Sequence, residues 1–207
     1  MTLAVSDRLR RRFGGSGRRL GFAFVSAVAL TLAACGSSPV ETFDLSSVTF
    51  SQPARAPRSQ VVVTEPVATS PADSDRILIR PTPDTVATLK GAQWVERLPR
   101  LIQTRLIQSF ENGRVLRAVT RPDSRISAQY ELATEIRSFE IDVTRGLAVV
   151  ELSVKLISQG SGRIGSAQIF SASVPASASD GLTASRALDQ ALGDVLHQIV
   201  IWTARQV

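Results

Sequence analysis

Residue types that build reactive centres are nearly missing from this chain of 207 residues, which has one cysteine and one histidine. A structural zinc site takes several Cys or His ligands and a disulfide takes two cysteines, so neither can be built here. The histidine, His197, falls beside the apolar stripe of a C-terminal helical pattern, and no G-x-S-x-G turn is present to position a nucleophilic serine. Aromatics are sparse, with two tryptophans and one tyrosine. A membrane-spanning helix is missing as well: the uncharged run Leu20–Leu32 would rise about 20 Å, short of the roughly 30 Å of hydrocarbon in a bilayer.

What is present starts with that run. Ahead of it stand Arg8, Arg10, Arg11, Arg12, Arg18 and Arg19 against a single acid, Asp7. A positive segment, a short apolar run and small residues at its end make a secretory signal peptide. The run closes on Leu32-Ala33-Ala34-Cys35, which resembles the lipobox read by lipoprotein signal peptidase. That resemblance implies cleavage before Cys35, a diacylglycerol on its sulfur and a further acyl chain on the new amine. Two or three chains give stable anchoring where one binds only marginally. The competing reading is an ordinary secreted protein with an incidental cysteine beside its cleavage site.

Cleavage changes the electrostatic picture. Removing the first 34 of 207 residues leaves 173 and takes away six arginines and one aspartate, so a net charge of +6 falls to +1. The apparent basicity belongs to the discarded segment, and the remaining arginines are scattered, so nucleic acid is not an expected partner. A chain of that length buries a sizeable core in one domain. With Cys35 acylated, packing alone must hold it.

Along the mature chain, Gly36-Ser37-Ser38-Pro39 reads as a polar tether. Strands are expected from Phe43-Asp44-Leu45 to before Ser51, at Val61-Val62-Val63, and at Arg76-Ile77-Leu78-Ile79-Arg80, the last stopped by Pro81 and Pro83. A first helix is expected over roughly Gln93 to Asn112: Val95, Leu98, Ile102, Leu106 and Phe110 share a face, and Trp94 and Leu101 widen it. Pro99 is tolerated in a first turn, and Asn112-Gly113 is a stop signal.

Period-two segments follow. Val115 to Val119 reads as a short strand. Tyr130, Leu132 and Ile136 share one phase while Phe139, Ile141 and Val143 share the other, so a β-bulge or bend is expected near Arg137-Ser138. Ala148, Val150, Leu152, Val154 and Leu156 then alternate cleanly, and a third strand runs from about Ile164 to Val174. Finally Ala184, Leu188, Leu192, Val195, Ile199 and Trp202 mark a long amphipathic helix that Asp180 or Thr183 could cap. The expected fold class is α+β, a mostly antiparallel sheet with two amphipathic helices packed on one face. The expected organisation is a signal peptide over 1–34, a lipidated tether over 35–42 and a single domain over 43–207.

Signals for chemistry are weak. Gly160-Ser161-Gly162-Arg163-Ile164-Gly165 spells G-x-G-x-x-G, but a strand follows it where dinucleotide binding needs a helix N-terminus, so it reads as a hairpin loop. Asp73-Ser74-Asp75 begins like a calcium loop and lacks its later Gly and Glu. Glu135, Glu140 and Asp142 cluster near the expected bulge, and paired acids can serve glycoside hydrolysis, but acids on a wet sheet face are the default. No catalytic residue, cofactor or metal is expected.

The layout nevertheless resembles a known family. The lipobox is followed by Phe43-Asp44-Leu45, the strand Arg76–Arg80, and the segment Gln93-Trp94-Val95-Glu96-Arg97-Leu98-Pro99. Tyr130-Glu131-Leu132 then runs into Ile136-Arg137-Ser138-Phe139-Glu140, and a hydrophobic helix comes last. This resembles the auxiliary lipoproteins of ABC-type transport systems, the paraquat-inducible C-type family. One departure is Thr42 before Phe43, where the family often pairs two aromatics.

The resemblance implies a non-enzymatic lipoprotein at the outer membrane, docking a periplasmic protein with a mammalian-cell-entry (MCE) domain in a lipid transporter, and it allows a homo-oligomeric ring. Gly36 after the cysteine lacks the aspartate that retains lipoproteins at the inner membrane in some bacteria. Two other functions stay open: an assembly lipoprotein of an envelope or secretion complex, and a carrier holding an acyl chain between sheet and helices.

Replacing Cys35→Ser should release the domain from membranes or leave an uncleaved precursor, as read by fractionation and precursor size. A variant that is processed and still sediments with the outer membrane would contradict the lipoprotein reading.

Overall fold

The computed structural model of the chain describes residues 39–50, 59–122, 124 and 127–207. Among the described residues are nine strands, β1 (Glu41–Phe43), β2 (Gln60–Val63), β3 (Val67–Ala68), β4 (Arg76–Thr82), β5 (Thr85–Trp94), β6 (Ala118–Thr120), β7 (Tyr130–Asp142), β8 (Leu147–Ser158) and β9 (Ile164–Pro175). Two helices, α1 (Leu98–Gly113) and α2 (Gly181–Gln206), complete them.

The strand β7 is the spine. Leu132, Thr134 and Ile136 point to the core, and after Arg137 the inward residues are Phe139 and Ile141, all nearly inaccessible. The ladder with β8 shows why the phase changes: Ile136 opposes Leu152 and Ser138 opposes Glu151, so Arg137 is an extra residue in a β-bulge. Were Arg137 paired as a regular ladder residue, the second half of β7 would turn its apolar side chains outward. On β8 every second residue from Ala148 to Leu156 is buried, and β8 pairs with β9 to extend an antiparallel meander.

On the other edge of β7 the sheet is parallel, so the expected antiparallel meander is one part of a mixed sheet. Val61–Val63 of β2 oppose Tyr130–Leu132, Val67 and Ala68 of β3 oppose Glu135 and Ile136, and Leu78–Arg80 of β4 oppose Glu140–Asp142. Three short strands in succession thus satisfy one long edge whose backbone groups could not be left buried and unpaired. The pairs β2–β6 and β1–β5 are parallel as well. Turn signals reveal hairpins, whereas these partners are joined by crossovers of roughly forty to seventy residues, with no local signature.

One element was not expected. The strand β5 follows β4 through a two-residue turn, Pro83-Asp84, with Thr82 opposite Thr85. Most of its first eight residues are exposed, so it carries no apolar alternation to reveal it. It also takes Trp94 from the helix expected over Gln93 to Asn112. The Trp94 N–H donates to the Asp75 carbonyl at 2.7 Å and the Val95 N–H to that of Phe43 at 2.8 Å, and Val95 is 56% exposed. The helix α1 begins at Leu98, which places Pro99 in its first turn, where no N–H is needed. Trp94 is a core residue, packed edge-on against Phe139 with ring centroids 5.8 Å apart. The first strand likewise ends at Phe43, and the segment expected over Val115 to Val119 pairs only over Ala118–Thr120.

Both helices share one continuous core with the inward side of the sheet. The Asp180 carboxylate caps α2, accepting from the Thr183 N–H at 2.8 Å. Gly181 lies so close to Phe43 and Ala92 that a Cβ there would come within 2.7 Å of each. At the other end of α2, Trp202 meets Phe170 of β9 edge-on, centroids 5.5 Å apart. The helix therefore crosses from the β1–β5 side to β9, burying Leu188, Leu192, Val195 and Ile199 fully.

A strap, residues 44–50, crosses both helices. Its Ser46 N–H donates to Asp189 at 2.6 Å and its Val48 N–H to the Ser109 hydroxyl at 3.1 Å, and the Val48 carbonyl accepts from Asn112 at 2.9 Å. Phe50 stacks on His197 and lies 3.1 Å from where a Gly113 Cβ would be. The left-handed residue at the end of α1 is Arg114, at φ 49°, so Gly113 is needed for the close approach of Phe50.

Leu192→Ala should cost about 2–5 kcal/mol, the range for emptying a core leucine site. Deleting Arg137 should cost less, because Ser138 would then follow Ile136 in plain alternation with Phe139 and Ile141 still facing inward. Urea unfolding checks both, and a deletion variant destabilised more than Leu192→Ala would show that Arg137 is not the extra residue.

Candidate functional site

A concavity lies at the start of β7. The β2–β6 pair ends on one side of it and the β8–β9 turn on the other, leaving a cleft of about 810 Å³ lined by Val62, Thr64, Ser127, Tyr130, Glu131 and Ser158, among others. Glutamines knit its base. The Gln60 N–H donates to Gln129 Oε1 at 2.7 Å, Gln129 N–H to the Gln60 carbonyl at 3.1 Å and Gln159 N–H to the Gln129 carbonyl at 2.9 Å. Gln159 Nε2 donates to Glu131 Oε2 at 2.7 Å. Among the described residues the lining has one carboxylate and no Lys, Arg or His. Serines without a base beside them are poor nucleophiles, so what these residues offer is hydrogen bonding to a partner surface.

The acids singled out near the bulge lie on the outward side of the sheet. Glu140 receives a forked pair of hydrogen bonds from Arg80, Nε to Oε1 at 2.6 Å and Nη2 to Oε2 at 3.1 Å. That contact raises Arg80 above its ordinary value. Asp142 accepts from the Arg145 N–H at 2.9 Å and from Arg145 Nε at 2.6 Å. The backbone hydrogen bond first, then the side chain of Arg145, hold the Asp142 carboxyl below the usual carboxylate range. Glu135 is exposed. Each of the two buried acids thus has its own arginine, and the groups fasten the β4–β5 hairpin and the β7–β8 turn to the sheet end.

The remaining candidates are scattered. Cys35, with Leu32, Ala33 and Ala34, lies outside the described residues, as do the signal segment and the first part of the tether. The glycine motif closes the β8–β9 hairpin: Gly162 sits at φ 66°, and a strand begins at Ile164. His197 is exposed on α2 against Phe50. Asp73 pairs with Arg97 and Asp75 with Arg76, and no metal-holding cluster occurs among the described residues. The cleft itself was not anticipated. Its residues come from strand ends brought together by parallel pairing, and the one local cue is Tyr130, the single tyrosine of the chain.

Comparison with known proteins gives a coherent result. A family model described as ABC-type transport auxiliary lipoprotein component matches residues 43–200. Protein bll6063 of Bradyrhizobium diazoefficiens, itself uncharacterized, is 28% identical over 177 residues, covering 83% of this chain and 47% of its own length. The chain thus spans about half the length of that curated relative. The crystal structure of XCC0632 from Xanthomonas campestris is similar with a TM-score of 0.74 and 29% identity, covering 81% of this chain and 96% of that one. A second crystal structure, of an uncharacterized protein, shares the fold at a TM-score of 0.63 and 12% identity, covering 80% and 99%.

Acid should weaken the domain through Asp142 and through Asp180, whose carboxyl is also held low, first by the Thr183 backbone hydrogen bond. A depressed folded value means the contribution is complete above the unfolded carboxylate value, about 3.9, and is lost as pH falls through the folded one. Asp142→Asn and Asp180→Asn should each flatten the acid limb of a melting temperature against pH curve and leave its shape above about pH 5 unchanged. An unchanged acid limb in both variants would contradict these assignments.

Proposed function

Since the chain belongs to the family of ABC-type transport auxiliary lipoprotein components, we propose that it is the membrane-anchored, non-catalytic docking component of such a system. Cys35 holds it at the outer membrane, and the domain faces the periplasm. The partner is the periplasmic MCE-domain protein of a lipid transporter, and the cleft end of β7 is the surface that meets it. The observation that carries this reading is the filled interior. The space between sheet and helices is occupied by Leu132, Val150, Leu152, Leu188, Leu192, Val195 and Ile199, none more than 2% exposed. An acyl chain has nowhere to lie there without displacing side chains packed at crystal-like density, which disfavours a carrier and favours a rigid surface for another protein.

The acylated full-length protein, solubilised gently from cells, should co-purify with an MCE-domain protein, and lipid extraction of the isolated lipoprotein should yield no bound lipid beyond its own acyl chains. Recovery of an outer-membrane barrel or a secretion ring as the sole partner would favour the assembly reading, and a stoichiometric extra lipid would favour the carrier.

A further inference from the structure

The way β1 enters the sheet decides which end of the domain faces the membrane. Because β1 runs parallel to β5, with Glu41 opposite Ala92 and Phe43 opposite Trp94, the chain arriving at Glu41 comes from the side where the β4–β5 hairpin extends. From Ala92 back to Thr85 at the hairpin tip the strand covers about 23 Å at 3.3 Å per residue. The six residues from Cys35 to Glu41 span at most about 20 Å even when fully extended. For a surface on the side from which the chain arrives, the tether is therefore too short to hold the tip clear of a bilayer in which Cys35 is embedded.

The tip has the chemistry for that contact. Val86 of the hairpin and Val143 of the neighbouring β7–β8 turn are exposed at 41% and 44%, and Pro81 and Pro83 are exposed between them. The two turns form one platform. The Val143 N–H donates to the Arg80 carbonyl at 3.0 Å, the Thr144 hydroxyl to the Pro81 carbonyl at 3.2 Å, and Arg80 Nη1 to the Pro83 carbonyl at 2.9 Å. Arg145 beside it is ion-paired with Asp142 and the exposed Asp84 lies in the turn itself, so the contact rests on the valines and prolines and not on a surplus of cations.

We propose that the paired tips of the β4–β5 hairpin and the β7–β8 turn seat on the lipid surface, with the prolines and valines at headgroup depth, and that the cleft end of β7 points away from the membrane. The proposal rests on acylation of Cys35. The twelve steps of β7 from Tyr130 to Asp142 put about 40 Å between the two ends, so the cleft stands well outside the headgroup layer, where a soluble partner reaches it.

The test uses the acylated full-length protein, in which the Cys35 sulfur is consumed and a new cysteine is the single thiol. Val86→Cys and, as a control, Ile169→Cys on β9, also half exposed, are labelled with an environment-sensitive fluorophore. The labelled proteins are reconstituted into phosphatidylethanolamine–phosphatidylglycerol vesicles carrying headgroup nitroxide lipids. The label at 86 should be quenched several-fold more than the label at 169. Equal quenching in protein that floats with the vesicles overturns the orientation while leaving the anchor intact. A blue-shifted but unquenched label at 86 overturns it in favour of contact with a second copy. Protein that does not float overturns the anchor, and the orientation with it.

Discussion

The domain depends on β7 being paired along both edges. A thirteen-residue strand in the middle of a sheet exposes two rows of backbone donors and acceptors, and each must find a partner once water is excluded. The antiparallel β8 satisfies one row with a single long hairpin partner. The other row is satisfied piecewise by β2, β3 and β4, which makes the N-terminal third of the domain track β7 from one end to the other. That tracking fixes both ends of the domain. It brings β2 to the cleft and carries β4 on to the hairpin that Arg80 and Glu140 fasten.

The helical layer converts this ribbon into a solid body. The helix α2 runs obliquely from Phe43 and Ala92 at its start to Phe170 at its end, so it locks the parallel and antiparallel parts of the sheet to each other. The strap over residues 44–50 then binds the stretch following β1 to both helices through Asp189, Ser109 and Asn112. Motion at the membrane anchor is thereby coupled to the whole core instead of to one short strand. A module whose core is packed in this way fits the docking role proposed for it.

The sequence showed most clearly what was local. The bulge at Arg137, the alternation of β8, the cap at Asp180 and the stripe of α2 each follow from residues within a few positions of one another, and all are in place. The parallel pairings were invisible because short strands such as Val67–Ala68 carry no periodicity and find partners far along the chain. The hairpin β4–β5 was hidden for a different reason: Pro81 and Pro83 read as breakers, yet they sit at an exposed ribbon end where ladder hydrogen bonds are dispensable. Trp94 was read onto the helix because it continues the apolar spacing of Leu98 and Leu101, and hydrogen bonds from its own and the following backbone N–H to Asp75 and Phe43 overrode that spacing. The cleft, assembled from the ends of several strands, had no local pattern to reveal it.

The central claim is that a lipid-anchored, packed domain presents the cleft end of β7 to a periplasmic partner. Site-specific photocrosslinking in cells tests it most directly, with the reactive group placed at Ser127 in the cleft or at Val86 on the hairpin tip. The account predicts that position 127 captures the MCE-domain protein of the transport system and that position 86 does not. Capture of that protein from position 86 with none from position 127 would contradict it.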